Sequence, residues 1–248
     1  MRVEVMFGPA VLPPAEWHGR VVVVIDVLRA STTIATALSH GARAVIPLES
    51  ADDVVTRSRA FERSEVILAG ERKNARIEGF DLGNSPREFT REAVEGKTLL
   101  YTTSNGTNAL LAVQGAREVL VGAFVNFSAV AAMVRAAARE RVDLAFVCAG
   151  SDRQFSLEDT VCAGRFVRSL GRRLASATLN DAARAALTLE KKYGADLPKM
   201  FHVATHGRAL AEGGYGEDLA VCATVDAHPV VPVYAERQIT RLGTDRGR

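Results

Sequence analysis

The chain alternates two kinds of apolar block. Short unbroken aliphatic runs read as strands covered on both faces, and longer stretches with apolar residues three or four apart read as helices. The run VVVVI at 21–25 is the first such strand, and STTIATALS at 31–39 follows as a helix with Ser31 as its candidate cap. The alternation then repeats, with strands at 44–47, 65–69, 98–101, 118–121 and 143–148. Helices at 51–63, 86–94, 105–113, 126–140 and 156–170 are interleaved with them. Beyond Gly171 the pattern turns helical, at about 180–193 and 217–224, and closes on a strand at 230–234 whose Pro229 and Pro232 suit a sheet edge. Strands separated by helices need crossover connections, so the expected fold is α/β: a three-layer α/β/α sandwich on a mainly parallel or mixed central sheet. No linker or low-complexity tract interrupts the pattern, which reads as one domain over 1–248.

Four of the strands end in polar clusters instead of neutral turns. The longest is GERKNARIEGFDLGNSP at 70–86, too charged and glycine-rich for core yet set between two buried strands. The others are DVLRAST at 26–32, TTSNGT at 102–107, and CAG at 148–150 with SLED at 156–159. In open α/β sheets ligands bind outside the carboxyl ends of the strands, so these clusters are expected to converge. Arg29, Arg72 and Lys73 supply positive charge, and helix starts near Ser31, Ser85 and Asn105 supply N–H donors. Asp26, Asp81, Glu158 and Asp159 supply hard oxygen ligands, a mixture that suits a phosphorylated acid together with Mg²⁺.

Each residue also has a plain structural role open to it. Ser31, Ser85 and Asn105 have the residue types of helix caps, Glu158 and Asp159 those of first-turn acids, and Arg29 could pair with Asp26. Convergence of four strand ends is what favours the functional role. Composition narrows the partners. The net charge is +2 with Lys and Arg dispersed and aromatics few, which argues against a nucleic-acid groove. The three cysteines, Cys148, Cys162 and Cys222, suit reduced thiols in a cytoplasmic protein. No apolar run reaches the roughly 20 residues of a membrane span. A homo-oligomer stays open.

Several motif fragments fail on inspection. Gly96-Lys97-Thr98 ends like a phosphate-binding loop, but Arg91 stands where its first Gly belongs. His202 and His206 have zinc-helix spacing without the Glu that should follow the first His. Cys148 and Arg153 resemble a cysteine-phosphatase loop one residue too short. Leu28 occupies the second-carboxylate position of the aspartate-nucleophile phosphatases.

Taken in order, VIDVLRAST at 24–32, GERK with GFDLGNSP at 70–86, TTSNGT at 102–107 and CAG with SLED at 148–159 resemble the 2-phosphosulfolactate phosphatase family over nearly the whole chain. The resemblance implies a Mg²⁺-dependent hydrolase of α/β/α fold that converts 2-phospho-3-sulfolactate, or a similar short phosphorylated hydroxy acid, to the alcohol and phosphate, in the route to coenzyme M. Under that expectation some of Asp26, Glu158 and Asp159 provide the metal ligands. Arg29, Arg72 and Lys73 neutralise substrate charge, while Asn84, Ser85, Thr102, Thr103, Asn105 and Gly106 orient it, and Glu71 or Asp81 protonates the leaving oxygen. A lyase or isomerase of a 2-hydroxy acid phosphate, or a non-enzymatic anion-binding regulator, would use the same anion site without hydrolysis.

Overall fold

A computed structural model of the chain describes residues 1–9, 12–151 and 154–243. Its strands are β1 (Arg2–Met6), β2 (Val21–Ile25), β3 (Ala44–Pro47), β4 (Val66–Arg72), β5 (Ala75–Arg76), β6 (Thr98–Thr102), β7 (Glu118–Gly122), β8 (Leu144–Cys148), β9 (Thr178–Leu179), β10 (Pro232–Ala235) and β11 (Gln238–Arg241). Together they form one sheet in the order β5-β4-β6-β3-β11-β10-β7-β2-β8-β1-β9. The sheet is mixed. Strands β9, β1, β8, β2 and β7 pair in parallel on one side, and β3, β6 and β4 on the other. The antiparallel hairpin of β10 and β11 joins the two sets by pairing with β7 and β3.

That hairpin corrects the sequence expectation of an edge strand at 230–234. Pro232 is tolerated in mid-sheet because it is the first residue of β10, and the ladder to β7 begins only at Val233. The same pairing leaves the proline's missing N–H without a required acceptor on β7.

The unbroken VVVVI run is explained by burial on both faces. Val21, Val23 and Ile25 face a core built with Leu120, Phe146, Phe166 and Val130, while Val22 and Val24 face a second core with Ile34, Leu38, Leu110 and Trp17. Burying each such aliphatic side chain contributes about 1.5–3 kcal/mol, so a strand polar on either face could not take this place. Helices Phe127–Arg139 and Leu157–Arg168 supply one layer, and helices Ala30–Ser39 and Gly106–Ala112 belong to the other.

Helix Ala30–Ser39 is buried from Ala30 to Leu38 and packs against β7 and β10. Its buried hydroxyls bond to backbone carbonyls: Thr32 Oγ1 donates to Val27 O at 2.8 Å, Thr36 Oγ1 to Thr32 O at 2.9 Å and Thr33 Oγ1 to Asn84 O at 2.9 Å. The last of these ties the helix to the 70–86 segment. Helix starts differ from the expectation in two places. Ser31 lies inside its helix, with Arg29 at the cap position, and the segment after Ser85 is a 3₁₀ turn (Pro86–Glu88) followed by a separate helix (Arg91–Val94). Two helices that the sequence pattern did not reveal, Leu197–Val203 and Thr205–Leu210, complete the C-terminal half.

Five strand positions separate β2 from β6, about 24 Å in a flat sheet at the usual spacing. Yet a Cβ placed on Gly106, just beyond β6, would fall 2.7 Å from Asp26 Oδ2, just beyond β2. The sheet therefore curls, as twisted sheets of this size tend to, and brings two distant carboxyl ends to one place.

Candidate active site

Asp26 follows β2 and is buried, with a tight backbone loop around it. Its N–H donates to Ser31 Oγ at 2.9 Å, its carbonyl accepts from Ser31 N–H at 2.8 Å, and its Oδ1 accepts from Ala30 N–H at 3.1 Å. Among the described residues no donor reaches Oδ2, and Asp26 forms part of the wall of a cavity of about 290 Å³. Burial pushes its carboxyl up to about 7, and Glu71 and Glu158 add to the rise. The Ala30 N–H and the Arg29 charge oppose it. A buried carboxyl raised this far, in the wall of a cavity, is the kind of group around which reactive sites are built.

The 70–86 segment reaches this cavity as a hairpin. β4 continues to Arg72 and turns back into β5 through Lys73 and Asn74, at φ of 52° and 68°. Positive φ at both central residues is the two-residue turn whose twist matches a hairpin, here made without glycine. Three bonds hold the turn over the site: Asn74 N–H donates to Glu71 Oε2 at 2.9 Å, Ser104 N–H donates to Glu71 Oε1 at 2.8 Å, and Asn74 O accepts from Arg29 Nη2 at 3.0 Å. Lys73 is thereby placed in the cavity wall, where it has no ion-pair partner among the described residues. Glycine is required where the strand enters: a Cβ on Gly70 would lie 2.2 Å from Thr102 O.

From β6, Thr103, Ser104 and Asn105 line the same cavity. Thr103 and Thr107 brace one another, with Thr103 N–H donating to Thr107 Oγ1 at 3.1 Å and Thr107 N–H to Thr103 Oγ1 at 3.3 Å. Asn84 also lines it, its Oδ1 accepting from the Tyr101 hydroxyl.

Arg29 does not pair with Asp26. Its Nη1 donates to Asp218 Oδ2 at 2.7 Å, both side chains about 1% exposed, and its guanidinium stands 4.3 Å from the Tyr215 ring centre. Ser85 Oγ donates to the other Asp218 oxygen at 2.6 Å. A buried ion pair has little net charge to offer a ligand, so Arg29 shapes the wall while Lys73 carries the uncompensated positive charge.

The other expected residues are distributed more widely. Asp159 spends both carboxylate oxygens on backbone, Oδ1 on Val27 N–H at 2.8 Å and Oδ2 on Gly150 N–H at 3.2 Å, and so ties the loops after β2 and β8 together. Burial first, then Asp26 and Glu158, raise its carboxyl well above the usual range. Glu158 belongs to an adjoining cavity of about 310 Å³ that shares Ser151, Thr205 and His206 with the first. Its carboxyl is also raised by burial. Arg72 is exposed and points away, its Nη2 donating to Thr102 Oγ1 at 3.0 Å and Glu49 O at 3.2 Å. Asp81 lies outside the cavity wall, bonded to Arg63 and to Leu68 N–H. Ser85 and Thr102 lie behind the wall, and the short 3₁₀ turn after Ser85 aims no full helix N-terminus at the site.

The rejected fragments have structural uses. Lys97 Nζ donates to Ser64 O, far from the cavity wall. Ala204, with ψ of 138°, breaks the helix between His202 and His206. Burial drives the Cys148 thiol well above its ordinary range, which suits packing and not a thiolate. Arg153 lies outside the described residues.

The family model for 2-phosphosulpholactate phosphatase matches residues 7–237, the span that contains every wall residue described above. The chain belongs to the 2-phosphosulpholactate phosphatase family. Proteins named probable 2-phosphosulfolactate phosphatase are similar to it over nearly their full lengths. The one from Symbiobacterium thermophilum is 41% identical over 232 residues, 93% of this chain and 98% of that protein. Those from Caldanaerobacter subterraneus subsp. tengcongensis and Clostridium acetobutylicum are 43% and 33% identical, covering 85% and 96% of this chain and 86% and 100% of theirs. Within this family member, the residues that sequence reasoning missed are Asn74, Ser104, Ser151, His206 and Asp218. Asp218 reads in the sequence as an ordinary first-turn acid of helix Gly216–Ala223, and nothing in the spacing ties it to Arg29, 189 positions away.

Proposed function

We propose that this chain hydrolyses the phosphomonoester of 2-phospho-3-sulfolactate, or of a similarly short phosphorylated hydroxy acid, with Mg²⁺ as its metal. The observation that carries the reading is the Asp26 carboxyl, buried in the wall of a small polar cavity that Lys73 also lines. The family match supports the substrate class.

The donor set fits a hard divalent cation. Among the described residues no three His, Cys, Asp or Glu side chains are grouped as a complete metal centre. Mg²⁺ needs no such group, because it is commonly held by one or two carboxylates together with substrate phosphate oxygens and water. Asp26 Oδ2 would hold it, with Glu158 the next carboxylate along the joined cavities, while Asp159 braces the loop beneath. The charge count agrees: Asp26 and Glu71 face Lys73 alone once Arg29 is paired, and a polyanionic ester could not enter so acidic a wall uncompensated. Bound there, Mg²⁺ would neutralise phosphate charge and polarise a phosphoryl oxygen.

The chain's own groups do the positioning, which is most of phosphoryl-transfer catalysis. Lys73 pairs with the transferring phosphate, Thr103 and Asn105 donate to its oxygens or to the substrate carboxylate, and the Glu71 bonds to Asn74 and Ser104 keep the hairpin and the β6 loop at fixed separation. The reading is tested by phosphate release from 2-phospho-3-sulfolactate in H₂¹⁸O, with Mg²⁺ and with chelator. Phosphate labelled by solvent and dependent on the metal is expected. Product formed without ¹⁸O in the phosphate would show a lyase or isomerase, and tight binding without turnover a regulator.

A further inference from the structure

We infer that the Asn84 side-chain amide receives the substrate's carboxylate and that Tyr101 holds it in the receiving orientation; the inference rests on the hydrolytic reading above. Asn84 is 6% exposed and lines the cavity that Asp26 and Lys73 also line. The two ends of its carboxamide have unequal surroundings. Oδ1 accepts from the hydroxyl of Tyr101, a β6 residue only 1% exposed. Burial drives that phenol well above its ordinary value, so it stays protonated and able to donate. Nδ2 has no acceptor among the described residues. A carboxamide fixed through its oxygen presents both N–H groups on the other side, and a buried donor left without an acceptor is costly.

The segment that carries the amide is pinned along its length. Gly83 N–H donates to Glu88 Oε2 at 2.8 Å, Asn84 O accepts from Thr33 Oγ1 at 2.9 Å, and Ser85 Oγ donates to Asp218 Oδ1 at 2.6 Å. The donor is therefore in place before a ligand arrives, which spares the cost of ordering it on binding. Its ligand follows from charge. A 2-phospho acid carries its carboxylate on the carbon that bears the ester oxygen, so both anionic groups meet the walls of one cavity of about 290 Å³. The dianionic phosphate takes Lys73 and the cation at Asp26. Arg29, whose guanidinium would suit a carboxylate, is spent on Asp218 and on Asn74 O. The carboxylate is left to neutral donors, whose bonds its charge strengthens. Asn74 and Asn105, the other carboxamides of the wall, are half-buried, and among the described residues no hydrogen bond fixes their side chains. Asn84 is buried, fixed and short of an acceptor at once.

The test compares the full chain with N84A, N84D and Y101F on two esters in the presence of Mg²⁺. One is 2-phospho-3-sulfolactate, the other 2-phosphooxypropane-1-sulfonate, the same skeleton with methyl in place of the carboxylate. N84A should lower kcat/KM on the first by about 10–100-fold, the worth of a hydrogen bond to a charged group, and on the second by less than about 3-fold. N84D, which turns an acceptor toward the carboxylate, should lose at least as much on the first ester. Y101F should raise KM for the first ester by about 3–10-fold at nearly constant kcat, whereas a purely structural role for Tyr101 would lower both rates together. If the second ester turns over too slowly to follow, its inhibition constant against the first supplies the same comparison. The ratio between the esters does not depend on the fraction of folded protein, so a poorly folding variant still reports. An equal loss on both esters in N84A, or a loss on neither, overturns the inference while leaving hydrolysis intact. A Y101F ratio equal to that of the wild type overturns the role given to Tyr101. A wild-type chain that releases no phosphate from either ester overturns the hydrolytic reading, and the inference with it.

Discussion

Replacing Gly106 by Ala tests the curled-sheet geometry on which the site depends. The added Cβ would stand 2.7 Å from Asp26 Oδ2, 2.7 Å from Ala30 Cβ and 3.4 Å from Thr103 Oγ1. Ordinary carbon contacts lie at about 3.5–4.0 Å, so the helix start and the Asp26 loop must separate by about 1 Å. Gly106 opens helix Gly106–Ala112 without a positive φ, so the backbone accepts alanine and gains up to about 1 kcal/mol of helix propensity. Overpacking costs about 1–3 kcal/mol, which leaves the variant folded and between neutral and about 3 kcal/mol less stable. Activity should suffer far more, because a misplacement of about 1 Å in a positioned site costs on the order of 10²-fold. The urea midpoint and kcat/KM for phosphate release, measured on the same preparation, separate the two effects. A G106A variant with wild-type stability and kcat/KM within about threefold of wild type would refute the claim that the β2 and β6 loops meet at van der Waals distance.

The raised Asp26 carboxyl has a stability consequence. Its folded value of about 7, set first by burial, lies above the ordinary 3.8, so the metal-free protein binds this proton more tightly than the unfolded chain. That contribution is fully present below about pH 4 and is lost as pH rises through about 7, a few kcal/mol in all. D26N should abolish turnover, raise the melting temperature of the metal-free protein at pH 8, and flatten the slope between pH 4 and 7. A D26N slope equal to that of the wild type would reject the assignment. D218N leaves the Arg29 guanidinium buried without its partner and should cost about 3–5 kcal/mol by urea denaturation, whereas the paired apolar replacement R29M/D218L should recover most of that loss. K73M should raise KM for a dianionic ester about tenfold and weaken the dependence of kcat/KM on ionic strength, with little change in stability because the side chain is exposed. Equal salt dependence in wild type and K73M would mean that the positive charge felt by the substrate comes from elsewhere.

Much of the fold could be read from the sequence because burial on both faces writes itself as an unbroken aliphatic run, and VVVVI could occupy little else but a strand deep in the sheet. The polar residues ending that strand stand out for the same reason: Asp26 and Arg29 have no business beside such a run unless something pairs with them. What pairs with them was not legible. Arg29 finds Asp218 across nearly the whole chain, and that contact exists only because the C-terminal helices fold back over the loop after β2. The mid-sheet hairpin of β10 and β11 was hidden by its prolines, which mark an edge on average but are also admitted at the first residue of a strand. Charge misled in the other direction. Arg72 and Lys73 are adjacent and chemically alike, yet Arg72 is the last paired residue of β4 and Lys73 the first of the turn, so Lys73 lines the cavity while Arg72 bonds Glu49 and Thr102 outside it. A sequence therefore shows which loops carry unusual chemistry, while the side of each residue depends on strand register and turn type. In this molecule two positive φ values, at Lys73 and Asn74, shape the turn that puts Lys73, and not Arg72, in the cavity wall.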